Sequence, residues 1–196
     1  GRREMKDPGR YFSLMMAIML MTGAFVIVNF TEEASGAFIT WPGDHIIDGV
    51  TEYYGPGDVI NAGGDVLIIN DGELTLDGAI LNFTVFGKGI AVGNIGNGTL
   101  NIIDGGETKI ATPVWSYVIS AQNGKLNLDG ARILDTSGVG ISGEIDARIN
   151  NTLITNTTST SGISITADNV VVTNTTVMGC DRGINIASAN NILLDN

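Results

Sequence analysis

One cysteine, one histidine and four prolines occur in the 196 residues, and aromatic side chains make up only 6%. A lone thiol, Cys180, excludes an internal disulfide, and it lacks the CxxC or Cys/His spacing of a zinc centre. It reads as a small buried apolar residue. The single histidine, His45, has no partner histidine, so metal ligation or a Ser/His/Asp relay is without support. Basic residues are scarce too: ten stand against twenty-one acidic ones, a net charge of −11. Four of the ten (Arg2, Arg3, Lys6 and Arg10) precede position 11, which leaves six basic and nineteen acidic side chains over residues 31–196. Such a surface repels phosphate backbones, so nucleic acid is excluded as a partner, and neutral or basic ligands suit it better.

Helical periodicity is also missing after residue 31. What precedes that point is an export pattern. Residues 11–30 are 20 positions without a formal charge, about 30 Å as a helix and enough to cross a bilayer. The basic cluster before them and Glu32 and Glu33 after them keep the N-terminus cytoplasmic and send the rest outside. The expectation is a signal peptide or membrane anchor over residues 1–36, with a cleavage site near Ala34, Gly36 and Ala37. An uncleaved leader would hold the protein to the membrane through residues 11–30; either way its place is the cell surface or the exterior.

The body of the chain repeats. Asp71-Gly72-Glu73-Leu74-Thr75-Leu76 returns as Asn97-Gly98-Thr99-Leu100-Asn101-Ile102 and as Asn123-Gly124-Lys125-Leu126-Asn127-Leu128, with a looser copy at Ser142-Gly143-Glu144-Ile145-Asp146-Ala147. A second motif recurs at residues 150–156, 168–174 and 190–196, each opening on Asn or Asp followed by Asn. Alternating apolar and polar residues mark strands, and Asn/Gly clusters mark turns. Similar segments at a period near 20 residues predict coils stacked in a solenoid rather than an antiparallel sandwich. Residues 37–63, with Trp41, Tyr53 and Tyr54, are expected to cap the first end, and residues 64–196 to form the coils. Because residue 196 falls inside a repeat, the natural protein is expected to continue.

Residues 183–196, GINIASANNILLDN, resemble the repeat of secreted right-handed parallel β-helix proteins, the NosD-like and carbohydrate-active group. The likeness covers about residues 60–196. It implies an all-β, right-handed parallel β-helix behind the hydrophobic leader, and it is poor for activity, since that group spans lyases, glycosidases, adhesins, surface-layer proteins and metal-delivery accessories. Copper delivery is disfavoured, because Met178 is the only methionine after residue 30. The Gly-His-Gly and Arg-Ile-Lys motifs of pectin-cleaving relatives are missing; Arg148-Ile149-Asn150 matches the second in part.

Stacked coils turn repeats into columns of like side chains about 4.8 Å apart. The expected columns are Leu74, Leu100, Leu126 and Ile145 inside, Glu73, Thr99, Lys125 and Glu144 outside, and Asn156, Asn174 and Asn196 at a turn. Asp77, Asp104 and Asp129 would stack before turn glycines, where like charges either stay well solvated or hold a cation such as calcium. The best catalytic constellation is Glu144, Asp146 and Arg148, which alternate on one strand with the carboxylates roughly 6 to 7 Å apart at the backbone. That gap suits an acid and base on a glycosidic bond, although such residues are also ordinary on an exposed face. Sequons at Asn82, Asn97, Asn150, Asn156 and Asn174 are candidate glycosylation sites in an exported chain. Export and stacking together point to a surface module with a structural, adhesive or glycan-binding role. The alternative is the N-terminal part of a polysaccharide lyase or glycoside hydrolase whose catalytic residues lie beyond residue 196.

Overall fold

The structure is a computed structural model and describes residues 36–112, 116–155 and 160–195. The expected leader, with residues 11–30, lies outside the described residues, as do Asn156 and Asn196. Among the described residues no helix is long and apolar enough to cross a membrane.

Short strands follow one another in rungs of three. The first rung is β1 (Phe38–Trp41), β2 (His45–Asp48) and β3 (Thr51–Tyr54); the second is β4 (Val59–Ala62), β5 (Val66–Ile69) and β6 (Gly72–Asp77). The third is β7 (Ile80–Phe83), β8 (Gly89–Val92) and β9 (Gly98–Ile103), and the fourth β10 (Glu107–Ile110), β11 (Tyr117–Ala121) and β12 (Gly124–Asp129). Then come β13 (Arg132–Leu134), β14 (Thr136–Ile141) and β15 (Ile145–Asn150), and β16 (Leu153–Thr155), β17 (Ser161–Ile165) and β18 (Val171–Thr173). The last described rung is β19 (Thr176–Val177), β20 (Arg182–Ile186) and β21 (Leu193–Asp195). Every third strand pairs, giving three parallel sheets of seven strands each: a parallel β-solenoid. Residues 38–62 pair without a register shift and supply the first rung and the first strand of the second.

Alternation decides which side chains enter the core. In β6 and β9 every second residue is buried, and Leu74, Leu76, Leu100, Ile102, Leu126 and Leu128 are wholly shielded from water. A flat apolar column forms because each rung must place its inward residue against the ones above and below, which rewards aliphatic side chains of similar size. Backbone groups are satisfied between rungs, as in Gly93 N–H to Ile68 O at 2.9 Å and Gln122 N–H to Val92 O at 2.9 Å.

The corners use left-handed backbone. From the third sheet to the first, Gly78, Asp104, Gly130, Asn151 and Asn174 all have positive φ, between 46° and 69°. Each donates its N–H to the rung that follows, for example Asp104 to Asp129 O at 3.0 Å and Asn174 to Asp195 O at 2.9 Å. Glycine, asparagine and aspartate tolerate this conformation, which is why they punctuate the sequence.

Register corrects several expected columns. Leu126 is paired with Ala147, not Ile145, and Lys125 with Asp146, not Glu144, because Ile145 stands opposite Gly124. The glycine at 143 is a corner residue, φ 72°, and does not continue the strand glycines. Asp77 pairs with Ile103, which pairs with Asp129, while Asp104 occupies the corner position of Gly78. The three aspartates therefore do not stack: the three strands end in step on Asp77, Ile103 and Asp129, and Asp104 falls one place later, at the corner. The copy at residues 150–156 supplies β16 of the first sheet, whereas 168–174 and 190–196 supply β18 and β21 of the third. Asn174 thus stacks on Asn151. Cys180 is half-buried rather than buried, in the turn before β20.

Candidate functional site

Amide and carboxylate side chains form ladders between rungs. Asn150 Nδ2 donates to Asp129 Oδ1 at 2.8 Å, and Asn150 Oδ1 accepts from Thr173 Oγ1 at 2.9 Å and Asn174 Nδ2 at 3.3 Å. Asn101 Nδ2 donates to Glu73 Oε1 at 2.8 Å and lies 3.1 Å from Thr75 Oγ1. These bonds fix the rotamers of the outer face, so its polar groups are presented in set positions.

A groove of about 610 Å³ crosses three rungs where the second sheet turns into the third. Glu144 and Asp146 line it from the fifth rung, Thr166, Asp168 and Asn169 from the sixth, and Ser188 and Asn190 from the seventh. Gly143, Asn169 and Ser188 build its walls with positive φ of 72°, 60° and 58°. Asn123 braces the upper wall: its Nδ2 donates to Gly93 O at 2.8 Å and its Oδ1 accepts the Glu144 N–H at 3.3 Å. Asp168 Oδ1 accepts the Asn190 N–H at 2.6 Å, which locks the lower two rungs together.

The structure brings Glu144 and Asp146 together, as their alternation implied, and adds Asp168 beside them. Arg148 lies outside the lining; its Nε is 3.5 Å from Asp146 Oδ1, both side chains being more than half exposed. Such an exposed pair contributes little. The Glu144 side chain is exposed, and no hydrogen bond or ion pair to its carboxylate occurs among the described residues. No group of three or more His, Cys, Asp or Glu among the described residues is placed to hold a metal ion.

Asp77 and Asp129 take protein partners: Asp77 Oδ2 accepts from Tyr53 OH at 2.6 Å, and Asp129 Oδ1 from Asn150. That bond holds the neutral phenol of Tyr53 and raises its pKa.

A cluster that sequence reasoning missed surrounds His45. Its Nε2 lies 2.8 and 3.0 Å from the two oxygens of Glu52, and Tyr54 OH donates to Glu52 Oε2 at 2.9 Å. Trp41 stacks on the imidazole with centroids 3.8 Å apart and planes within 4°. The only available signal was register: Glu52 and Tyr54 stand over Leu74 and Leu76, so both point into the core.

The sequons differ in access. Asn82 sits within β7, its Nδ2 given to Asn61 Oδ1 at 2.9 Å and its own Oδ1 buried with no partner among the described residues. Asn150 is half-buried and bonded on both sides, whereas Asn97 and Asn174 are exposed at corners. Expression in a glycosylating host should therefore modify Asn97 or Asn174 and spare Asn82. Glycopeptide mass spectrometry checks this; occupancy at Asn82 above that at Asn97 contradicts it.

Compared with known protein families, curated proteins and solved structures, the chain matches none.

Proposed function

We propose that the chain is an exported surface module, wound right-handed as parallel crossovers nearly always are, whose acidic corner groove binds a polysaccharide. The observation that carries this reading is the juxtaposition of Glu144, Asp146, Asp168 and Asn190 in one groove across three rungs. Carboxylates and amides at set spacings match the dense hydroxyls of a sugar chain, and the negative charge also favours amino-bearing sugars. The export pattern supports display outside the cell, and the likeness of residues 183–196 to carbohydrate-active β-helices supports the ligand class. Binding is favoured over catalysis because Glu144 and Asp146 are exposed on an open groove, which does not shut water away from a reacting bond.

The test is affinity electrophoresis against a panel of soluble neutral and amino-bearing polysaccharides, with reducing ends assayed in parallel. At least one polymer should retard the protein. Glu144→Gln with Asp146→Asn should weaken that binding about thirtyfold, since each of two charge-assisted hydrogen bonds becomes a neutral one at a loss of about 1 kcal/mol. Stability should stay within about 0.5 kcal/mol, since both side chains are exposed. Variants that bind like the parent would overturn the proposal. Reducing ends that accumulate, and cease in Glu144→Gln, would make the chain part of a glycosidase or lyase instead.

A further inference from the structure

Residue counts between paired positions explain why a groove opens at this corner. Ile141, Ile165 and Ile186 stack in the second sheet, and Arg148, Val171 and Leu193 in the third. Six residues, 142–147, join the two sheets in the fifth rung and six, 187–192, in the seventh, but only five, 166–170, in the sixth. The sixth rung is therefore drawn in between its neighbours, and the ladder between rungs parts there. Val171 stands opposite Arg148, so two residues earlier a continuous parallel ladder would carry the Asn169 N–H to the Ile145 carbonyl. The left-handed backbone of Asn169, φ 60°, gives that N–H to Asn190 O instead, at 3.0 Å. No other donor reaches Ile145 O among the described residues. Ile145 is only 6% exposed and its side chain belongs to the core, yet it lines the groove, so it does so through its backbone.

A backbone carbonyl that has lost its ladder donor calls for another. Around this one stand Glu144, Asp146 and Asp168, which only accept hydrogen bonds when ionised, and no lysine or arginine belongs to the lining. Lys125 stands opposite Asp146 in the fourth rung and Arg148 meets that carboxylate from outside at 3.5 Å, but neither lines the groove. The site is thus rich in acceptors and poor in donors. We infer that the groove seats the ammonium group of an amino sugar whose amine is free, with one N–H on the Ile145 carbonyl and the others on the carboxylates. This rests on the groove being a polysaccharide site, as proposed above, and names the sugar it selects. An ammonium brings three donors and a positive charge. An acetamido group brings one N–H, no charge, and a carbonyl that would face carboxylates. Donor count and charge therefore both select the free amine over its acetylated form.

Calorimetric titration of the full chain, in neutral detergent micelles, with a six-residue chitosan oligomer and with its fully N-acetylated counterpart tests this. The free-amine oligomer should bind about tenfold more tightly, the effect of roughly one charge-assisted hydrogen bond. Glu144→Gln with Asp146→Asn should bring the two oligomers within about twofold of each other. Asp71→Asn with Asp104→Asn removes as much charge at exposed, left-handed corner positions outside the groove, and it should leave the preference at about tenfold. Equal binding of the two oligomers, tighter binding of the acetylated one, or a preference that the corner pair lowers as much as the groove pair would overturn the inference. So would a free-amine oligomer that does not bind while another polysaccharide retards the protein, an outcome that leaves the groove a polysaccharide site. If no polysaccharide binds, both proposals fall.

Discussion

Gly124→Val should destabilise the protein by about 2–5 kcal/mol, a loss built from two independent costs. Gly124 has φ +104°, a conformation that a β-branched residue adopts only under strain. That strain is about 1–2 kcal/mol. A Cβ there would also collide with the Gly98 carbonyl oxygen and backbone nitrogen, and backbone cannot swing aside as a side chain would. Overpacking of that sort costs about 1–3 kcal/mol and occasionally more. The collision lies within the third sheet, where Gly72, Gly98 and Gly124 are paired in one column. Gly87 provides the control. Its φ is +71°, but a Cβ would meet nothing within 4 Å, so Gly87→Ala should cost only about 1 kcal/mol. Chemical denaturation gives both values. Since each rung touches only its neighbours, hydrogen exchange should show the Gly124→Val damage centred on β9, β12 and β15. Equal effects at the two glycines would mean that close packing of the column contributes nothing.

That column explains why the fold was legible. Gly72, Gly98 and Gly124 share one column, and at each a Cβ would press on backbone, against the carbonyl oxygens of Ile47, Ile68 and Gly98 in turn, so glycine is demanded each time and the period is written openly. Gly143 misled because a corner glycine and a strand glycine look alike in sequence: Gly143 lies in the corner before β15, whereas Gly124 stands within a strand, opposite Ile145. Residues 150–156 misled for a related reason: corners between any two sheets favour Asn and Thr, so composition does not tell which sheet follows.

Of the groove, Glu144 and Asp146 could be read from strand alternation, and Asp168 could not. It arrives from the next rung, and only register places a sixth-rung corner beside a fifth-rung strand. The His45 cluster was hidden more deeply. Glu52 lies in Thr51-Glu52-Tyr53-Tyr54, where polarity alone would send the carboxylate outward; its inward position follows from pairing with Leu74. A lone histidine excluded a histidine metal site but said nothing of a carboxylate seven residues on.

Tyr117→Ala should cost about 3–5 kcal/mol, the range for emptying a buried aromatic site. The ring is 1% exposed and stacks on Phe83 with centroids 4.9 Å apart. It reaches the interior by the ordinary alternation of β11, in which Tyr117, Ile119 and Ala121 are the buried positions. Its hydroxyl lies 2.7 Å from Thr108 Oγ1 and donates to Thr108 O at 2.8 Å, tying the second sheet to the first. Tyr117→Phe keeps the ring and leaves those partners without the hydroxyl, so it should cost about 1–3 kcal/mol. The two variants part further in alkali. Burial pushes the Tyr117 phenol well above its ordinary 10.0. Its neutral form therefore contributes stability that is fully present below pH 10.0 and falls as pH rises toward the folded-state value, because only the unfolded chain ionises readily. Tyr54, raised chiefly by burial and then by Glu52, adds to the same slope. Unfolding midpoints of the parent and Tyr117→Phe should run parallel below that pH and converge above it, the variant having lost one phenol that resists ionisation. Midpoints that stay parallel throughout would show that the Tyr117 hydroxyl ionises as easily in the fold as in the unfolded chain.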